Sequence, residues 1–229
     1  NFFFFLYWIL WYLMGMMLWN LLTHFLIRTK IPLIIAIFLA LSVGFSPWNN
    51  YDYSLGRVLV FLPFFVLGHL YGQQLFLKAK QQKYAMVWAI AIYACIAVVL
   101  GLTQLSQFWL YGSLSYQQLK VDMWDGMLIR LACLLIASLG IFAIFASSRL
   151  LKGKFINLGV NTLPVYLLHG FVVIFISRNF SWTWHWSVEL LVCAILSLLT
   201  CWLLQQKIFD VGLRKMSLWL TKPTSSLWK

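Results

Sequence analysis

The stretch YAMVWAIAIYACIAVVLGLTQL, residues 84–105, contains no Asp, Glu, Lys or Arg and follows directly after Lys83. Because an α-helix rises about 1.5 Å per residue, this stretch is long enough to cross the roughly 30 Å of hydrocarbon in a bilayer. Its length and its lack of charge predict a transmembrane helix, not the core helix of a soluble domain.

Six further apolar blocks surround this stretch. Hydrophobic residues make up 63% of the chain and charged residues 10%, whereas soluble domains have roughly 45–50% and about 25%. We therefore predict an all-α integral membrane protein, a bundle of about seven transmembrane helices. The second block is the shortest, and a re-entrant segment would have a similar sequence. The seven blocks are Phe2–Phe25, Ile31–Trp48, Val58–Leu77, Tyr84–Leu105, Met127–Ser147, Leu158–Ser177 and Ser187–Gln206.

The basic residues predict how the bundle is oriented. If all seven blocks cross, thirteen of the seventeen Lys and Arg residues fall on one side, and the positive-inside rule makes that side cytoplasmic. The N-terminus is then outside and the C-terminus inside. The net charge of +12 is explained by this rule and by anionic membrane lipid, so nucleic acid is not an expected partner. The thirteen are Arg28, Lys30, Lys78, Lys80, Lys83, Arg149, Lys152, Lys154, Lys207, Arg214, Lys215, Lys222 and Lys229.

Two domains are expected. Residues 1–206 form the transmembrane domain, and 207–229 form a basic amphipathic tail on the cytoplasmic surface. The four cysteines, at positions 95, 133, 193 and 201, lie inside apolar blocks with no CxxC or Cys/His spacing, so no metal is expected.

Two histidines lie near the middle of their blocks, where an ionisable group is costly unless it has a partner or faces a hydrated cavity. His69 and His169 each follow a proline, Pro63 and Pro164, by about a turn or more. A proline in a helix leaves the carbonyl four residues earlier without its donor, so kinked helices with a cavity are one interpretation. A neutral histidine that bonds to a neighbouring helix is the other.

Arg57, Arg130 and Glu189 fall within about one turn of the outer boundary, and Asp125 is close by. Either these residues line an outer entrance or they are interfacial anchors whose charges reach water.

Four segments resemble a known family when they are compared in order along the chain. They are LWYLMGMMLW at 10–19, SLGRVLVFLPFFVLGHLYG at 54–72, FWLYGSLSY at 108–116 and LGVNTLPVYLLHGFVV at 158–173. Together they resemble membrane acyltransferase family three, in its fucose 4-O-acetylase-like branch. The resemblance implies an enzyme that takes an acetyl group from cytoplasmic acetyl-CoA and transfers it to a hydroxyl of a sugar or polysaccharide outside the cytoplasm. It also implies a multi-pass protein of the cell membrane, typically the bacterial plasma membrane, with a glycan or glycolipid acceptor.

The resemblance carries site residues onto this chain. His169 is the catalytic candidate. Most of the substrate-binding candidates are residues of the matching segments, and Arg130 and His69 are included because of their positions in the membrane. The candidates are Trp11, Arg57, His69, Tyr116, Arg130, Asn161 and Tyr166.

The main catalytic base, by the same resemblance, is expected upstream of Asn1. The family has ten spans, and its first helix carries an Arg and a His regarded as catalytic. No such pair stands in this chain before Phe2. We therefore expect this chain to be the last seven spans of such an enzyme and to be inactive alone.

A second function stays open on the residues alone. Kinked helices with mid-membrane histidines and polar groups at both ends can also line the path of a transporter or flippase for glycan material. A non-catalytic membrane scaffold is a third possibility.

Overall fold

The computed structural model describes residues 2–47, 55–103, 105–150, 162–180 and 185–221, and within these ranges the regular structure is helical. Most helix bounds lie within a few residues of the apolar blocks. The helices are α1 (Phe2–Leu26), α2 (Pro32–Ser42, extended by the 3₁₀ turn Val43–Phe45), α3 (Leu55–Gln81), α4 (Ala85–Thr103), α5 (Gln107–Tyr111), α6 (Met123–Ser147, extended by Ser148–Leu150), α7 (Thr162–Asn179), α8 (Trp186–Leu204) and α9 (Lys207–Thr221).

Five of these helices are long and apolar enough to cross a bilayer, counted over the described residues. They also expose large apolar side chains such as Leu102, Phe175 and Leu190, as lipid-facing helices do. The chain is therefore an all-α, multi-pass membrane protein. The five segments are Gly56–Gln81, Ala85–Thr103, Met123–Leu150, Thr162–Asn179 and Ser187–Leu204.

The second predicted block differs from the sequence-based expectation. Its helical part ends at Phe45, three residues before the predicted end at Trp48. An α-helix from Pro32 to Ser42 and one 3₁₀ turn rise about 22 Å, which is short of a full hydrocarbon thickness.

The chain divides into two compact units, which are described separately. The larger unit contains residues 10–150, and the smaller unit contains residues 1–9 and 151–229. The 1–206 segment predicted as one domain is therefore shared between them.

In the larger unit, α2 runs antiparallel to α3. Ala40 shares a core cluster with Val60, whereas Ala36 shares one with Leu62 and Val66. Trp19 joins α1 to α3 in the same core, because its indole N–H donates a hydrogen bond to the Val58 carbonyl at 2.7 Å. The C-terminal end of α2 and the N-terminal end of α3 consequently lie at the same end of this unit.

Helices α4 and α6 pack through four fully buried alanines, Ala85, Ala89, Ala143 and Ala146. Small side chains let two transmembrane helices approach closely, where van der Waals contact is the main source of association. The Arg149 guanidinium donates to the Gln82 carbonyl at 3.3 Å, so the end of α6 lies beside the start of α4.

In the smaller unit, α7 packs against α8 and α9. Pro164 lies on α7, and the Val160 carbonyl that the proline would leave without its donor is outside the described residues, so the kink expected there stays a prediction. Pro63 lies inside α3.

Candidate functional site

The connection between α4 and α6 folds onto the ends of α2, α3 and α6 in the larger unit. The short helix α5 is capped by the Ser106 hydroxyl and ends at Gly112, which has a φ of 64°. A Cβ atom at Gly112 would lie 2.9 Å from the Cβ of Val60. Both the left-handed backbone and the close approach to α3 therefore require glycine at this position.

Tyr116 is the centre of this folded connection and is only 1% exposed. Its hydroxyl donates to the Leu41 carbonyl at 2.8 Å, and its backbone N–H donates to the Gly44 carbonyl at 2.9 Å. Its ring lies between two glycines, Gly44 and Gly126, at each of which a Cβ atom would overlap the ring. The tyrosine thus joins the end of α2 to the beginning of α6.

Burial raises the pKa of the Tyr116 phenol above its usual value, and the positive charge of Arg130 opposes this shift to a smaller extent. The phenol is therefore neutral at physiological pH and acts as the donor to Leu41.

Arg130 is 1% exposed and lies beneath the same connection. Its Cζ is 4.8 Å from the centre of the Tyr116 ring and 5.9 Å from that of Trp109. One terminal nitrogen, Nη2, donates to the Leu114 carbonyl at 3.0 Å. A guanidinium between aromatic faces gains cation–π attraction, which is larger where water is excluded.

Arg57, in the first turn of α3, is 5% exposed and has a similar environment. Its Cζ lies 5.5 Å from the centre of the Trp11 ring and 5.6 Å from that of Tyr111. Trp11 also contacts Phe61 of α3 at a centroid distance of 6.3 Å. An anchor that reaches into water would be exposed, so Arg57 belongs to the interior of this unit.

These residues form two groups, and the short helix α5 supplies one aromatic residue to each. The Arg57 group is Trp11, Arg57 and Tyr111, and the Arg130 group is Trp109, Tyr116 and Arg130. We call the two groups together the arginine–aromatic cluster. Four of its six members were substrate-binding candidates in the sequence. Trp109 and Tyr111 were not chosen, although both lie in the quoted segment FWLYGSLSY. A cluster of cationic donors and aromatic faces is suited to ligands that have both oxygen atoms and an apolar face.

The catalytic candidate His169 lies in the smaller unit, half-buried on α7. Its Nδ1 is 2.7 Å from the Tyr166 carbonyl oxygen and 3.1 Å from that of Val165. Carbonyl oxygens only accept, so Nδ1 carries the proton, and in the neutral ring Nε2 is left as an acceptor.

His169 lines a cleft of about 870 Å³ between α7 and α8. The cleft is mostly apolar, with Tyr166 near His169 on α7 and with Glu189, Ser197 and Thr200 on α8. The Ser197 and Thr200 hydroxyls donate to carbonyls of their own helix.

The other candidates lie apart from these two places or outside the described residues. His69 is exposed on α3, and Asn161 lies outside the residues that the structure describes. Asn1, upstream of which the main catalytic base was expected, also lies outside them, so that expectation stays a prediction. Over the described ranges, no three His, Cys, Asp or Glu side chains are grouped as they would be to hold a metal ion.

Comparison with protein-family models, with curated proteins and with solved structures finds no match to this chain.

Proposed function

We propose that this chain is part of a membrane-bound O-acetyltransferase that moves an acetyl group from cytoplasmic acetyl-CoA to a hydroxyl of an extracytoplasmic sugar or polysaccharide. One observation supports the proposal most directly. Residues that the sequence predicts as substrate-binding candidates, and that lie far apart along the chain, pair in the structure. Trp11 contacts Arg57, Tyr116 contacts Arg130, and each pair also contacts an aromatic residue of helix α5. In this proposal the chain crosses the cell membrane seven times, with the N-terminus outside and the C-terminus in the cytoplasm, and the short helix α2 with its 3₁₀ turn makes the second crossing.

The acceptor is the ligand that we assign to the Arg57 group of the arginine–aromatic cluster, in which Tyr111 is exposed. A sugar ring offers C–H groups to an aromatic face and hydroxyl oxygens to a guanidinium. The cluster lies where α3 and α6 begin, and these are the ends that the positive-inside rule places outside.

Acetyl-CoA is the ligand that we assign to the opposite end of the larger unit. α1, α3 and α6 end there, and α4 begins there, so the polyanionic donor would meet a basic surface. Six basic residues belong to this end: Arg28, Lys30, Lys78, Lys80, Lys83 and Arg149.

His169 is the candidate base within this chain. In acetyl transfer, a base takes up the proton of the acceptor hydroxyl as the hydroxyl oxygen bonds to the thioester carbonyl carbon; the C–S bond then breaks, and CoA leaves as the thiol with that proton. Nε2 of His169 is a hydrogen-bond acceptor, as such a base requires. An Arg and His pair on a further helix upstream of Asn1, which the family resemblance implies, remains a second source of the base.

A transporter or flippase for glycan material is the alternative, and the cleft between α7 and α8 favours it. The cleft has polar groups from Glu189 to Thr200 along one spanning helix, as a substrate path requires.

One experiment separates the two functions. Right-side-out vesicles that contain the full-length gene product are loaded with labelled acetyl-CoA, and a soluble glycan acceptor is supplied outside. We expect alkali-labile acetyl esters on the external glycan, and His169→Ala should lower this transfer more than it lowers protein abundance. Movement of glycan across the membrane with no ester formed would contradict acetyl transfer and favour transport.

The orientation gives a separate prediction. In a cysteine-free background, a single cysteine at position 118 should react in intact cells with a thiol reagent that cannot cross the membrane, whereas one at position 80 should not. Both positions are exposed, so access to the reagent depends on the side of the membrane. Faster labelling at position 80 than at position 118 would show that the topology is inverted.

A further inference from the structure

Arg130 is a buried cation, and the contacts it makes with the described residues are to neutral groups. It belongs to the spanning segment Met123–Leu150, and its contacts are a peptide carbonyl and two aromatic rings. Across the described part of the chain, the one ion pair within 4.0 Å joins Arg214 to Asp210, in the other unit. Asp122 and Asp125, the acids closest to Arg130 in sequence, are both exposed. Burying a charge is costly unless a charge of opposite sign accompanies it.

The same place has donors that are not used. The Nε and Nη1 atoms of Arg130 and the Ser113 hydroxyl are buried and make no hydrogen bond to any residue that the structure describes. Ser113 directly precedes Leu114, and the Leu114 carbonyl accepts a hydrogen bond from Arg130. The Ser113 hydroxyl therefore belongs to the turn of the connection that lies against Arg130 of α6. Buried donors in native proteins nearly always have an acceptor.

We infer that Arg130 and Ser113 bind one small monovalent anion, a halide or a simple carboxylate. The positive charge selects an anion over water, because water can accept hydrogen bonds from these donors but cannot balance the charge. The occupant has only a few atoms, since Arg130, Ser113 and Tyr116 are at most 1% exposed. The anion fixes the connection onto α6. This inference does not depend on acetyl transfer.

The test measures anion binding to the purified 229-residue chain in detergent. Radiolabelled chloride is titrated in a sodium gluconate buffer of constant ionic strength, in which gluconate is the bulky anion that the closed site excludes. We expect about one chloride per chain, displaced by acetate but not by further gluconate. The apparent melting temperature should rise with chloride or acetate and level off as the site fills.

Three variants locate the site. Ser113→Ala keeps the cation and removes one donor, so chloride affinity should fall by about tenfold. Arg130→Gln should abolish chloride binding. If the Arg130→Gln protein does not fold, the chloride affinity of Ser113→Ala alone tests the inference. Lys120→Gln removes a positive charge from an exposed residue of the same connection and should leave binding unchanged.

Any one of three results would overturn the inference. The first is the absence of saturable chloride binding, which would mean that water accepts from the buried donors. The second is an equal melting temperature in chloride and in gluconate, and the third is an equal loss of chloride affinity in Ser113→Ala and Lys120→Gln, which would indicate general attraction to surface charge.

Discussion

Replacement of Tyr116 by alanine is expected to destabilise the larger unit by about 3–5 kcal/mol, as truncation of a buried aromatic residue does. The ring is buried between Gly44 and Gly126, neither of which has a side chain that could fill the space left by the ring. The change also removes the donor to the Leu41 carbonyl and one aromatic face beside Arg130. We expect a large fall in the apparent melting temperature of the purified chain in detergent.

Two controls divide this effect into parts. Tyr116→Phe keeps the ring and loses only the hydroxyl bond, so it should cost about 1 kcal/mol. Tyr84→Ala removes a tyrosine that is largely exposed, and it should change the melting temperature little. If Tyr84→Ala were as destabilising as Tyr116→Ala, the claim that Tyr116 is central to the packing of the connection would be wrong.

The second large effect is expected from Gly126→Ala. The added Cβ would lie 2.6 Å from Cδ1 of Tyr116, and the ring cannot move away because Gly44 packs against it. Overpacking of this kind costs about 1–3 kcal/mol, although alanine is the better helix former by nearly 1 kcal/mol. The net result should be a lower melting temperature and a weaker association of the connection with α6.

Gly140→Ala is the matched control because it lies in the same helix. A Cβ atom there would be 3.7 Å from Cδ1 of Ile96, an ordinary van der Waals contact. Helix propensity then dominates, and this variant should be as stable as the parent or more so. A Gly126→Ala protein as stable as Gly140→Ala would show that the ring and α6 are not in close contact.

Much of the fold is predictable from hydrophobicity, because each spanning segment must satisfy its own backbone in lipid. The block Met127–Ser147 ends with α6, and the block Ser187–Gln206 is within two residues of α8. The early end of α2 is not predictable in this way. It is associated with Gly44, which packs on a tyrosine more than seventy positions away, and no local pattern encodes that contact.

The site was predictable only in part. The sequence places Arg57 and Arg130 near the outer boundary, as residues of an entrance or as interfacial anchors, and the structure gives each of them two aromatic neighbours. Three of these four neighbours belong to the connection 105–122, whose fold is a tertiary property that no local pattern encodes. The depth of His69 in the membrane did not predict its environment, because burial also depends on which face of α3 carries the side chain. His69 is exposed, and the adjacent Gly68 has no atom within 4 Å of its Cβ position.

The central claim is that the Arg57 group of the arginine–aromatic cluster binds the acceptor, and acceptor dependence in Arg57→Ala tests it most directly. In membranes that contain the full-length gene product, acetyl transfer is measured against acceptor concentration at saturating acetyl-CoA. Because a charge-assisted contact is lost, KM for the acceptor should rise about tenfold or more, while KM for acetyl-CoA stays unchanged. Lys120→Gln, which removes an exposed charge at the same end, should behave like the parent. An unchanged KM for the acceptor in Arg57→Ala, or an equal rise in Lys120→Gln, would contradict the assignment of the acceptor to this cluster.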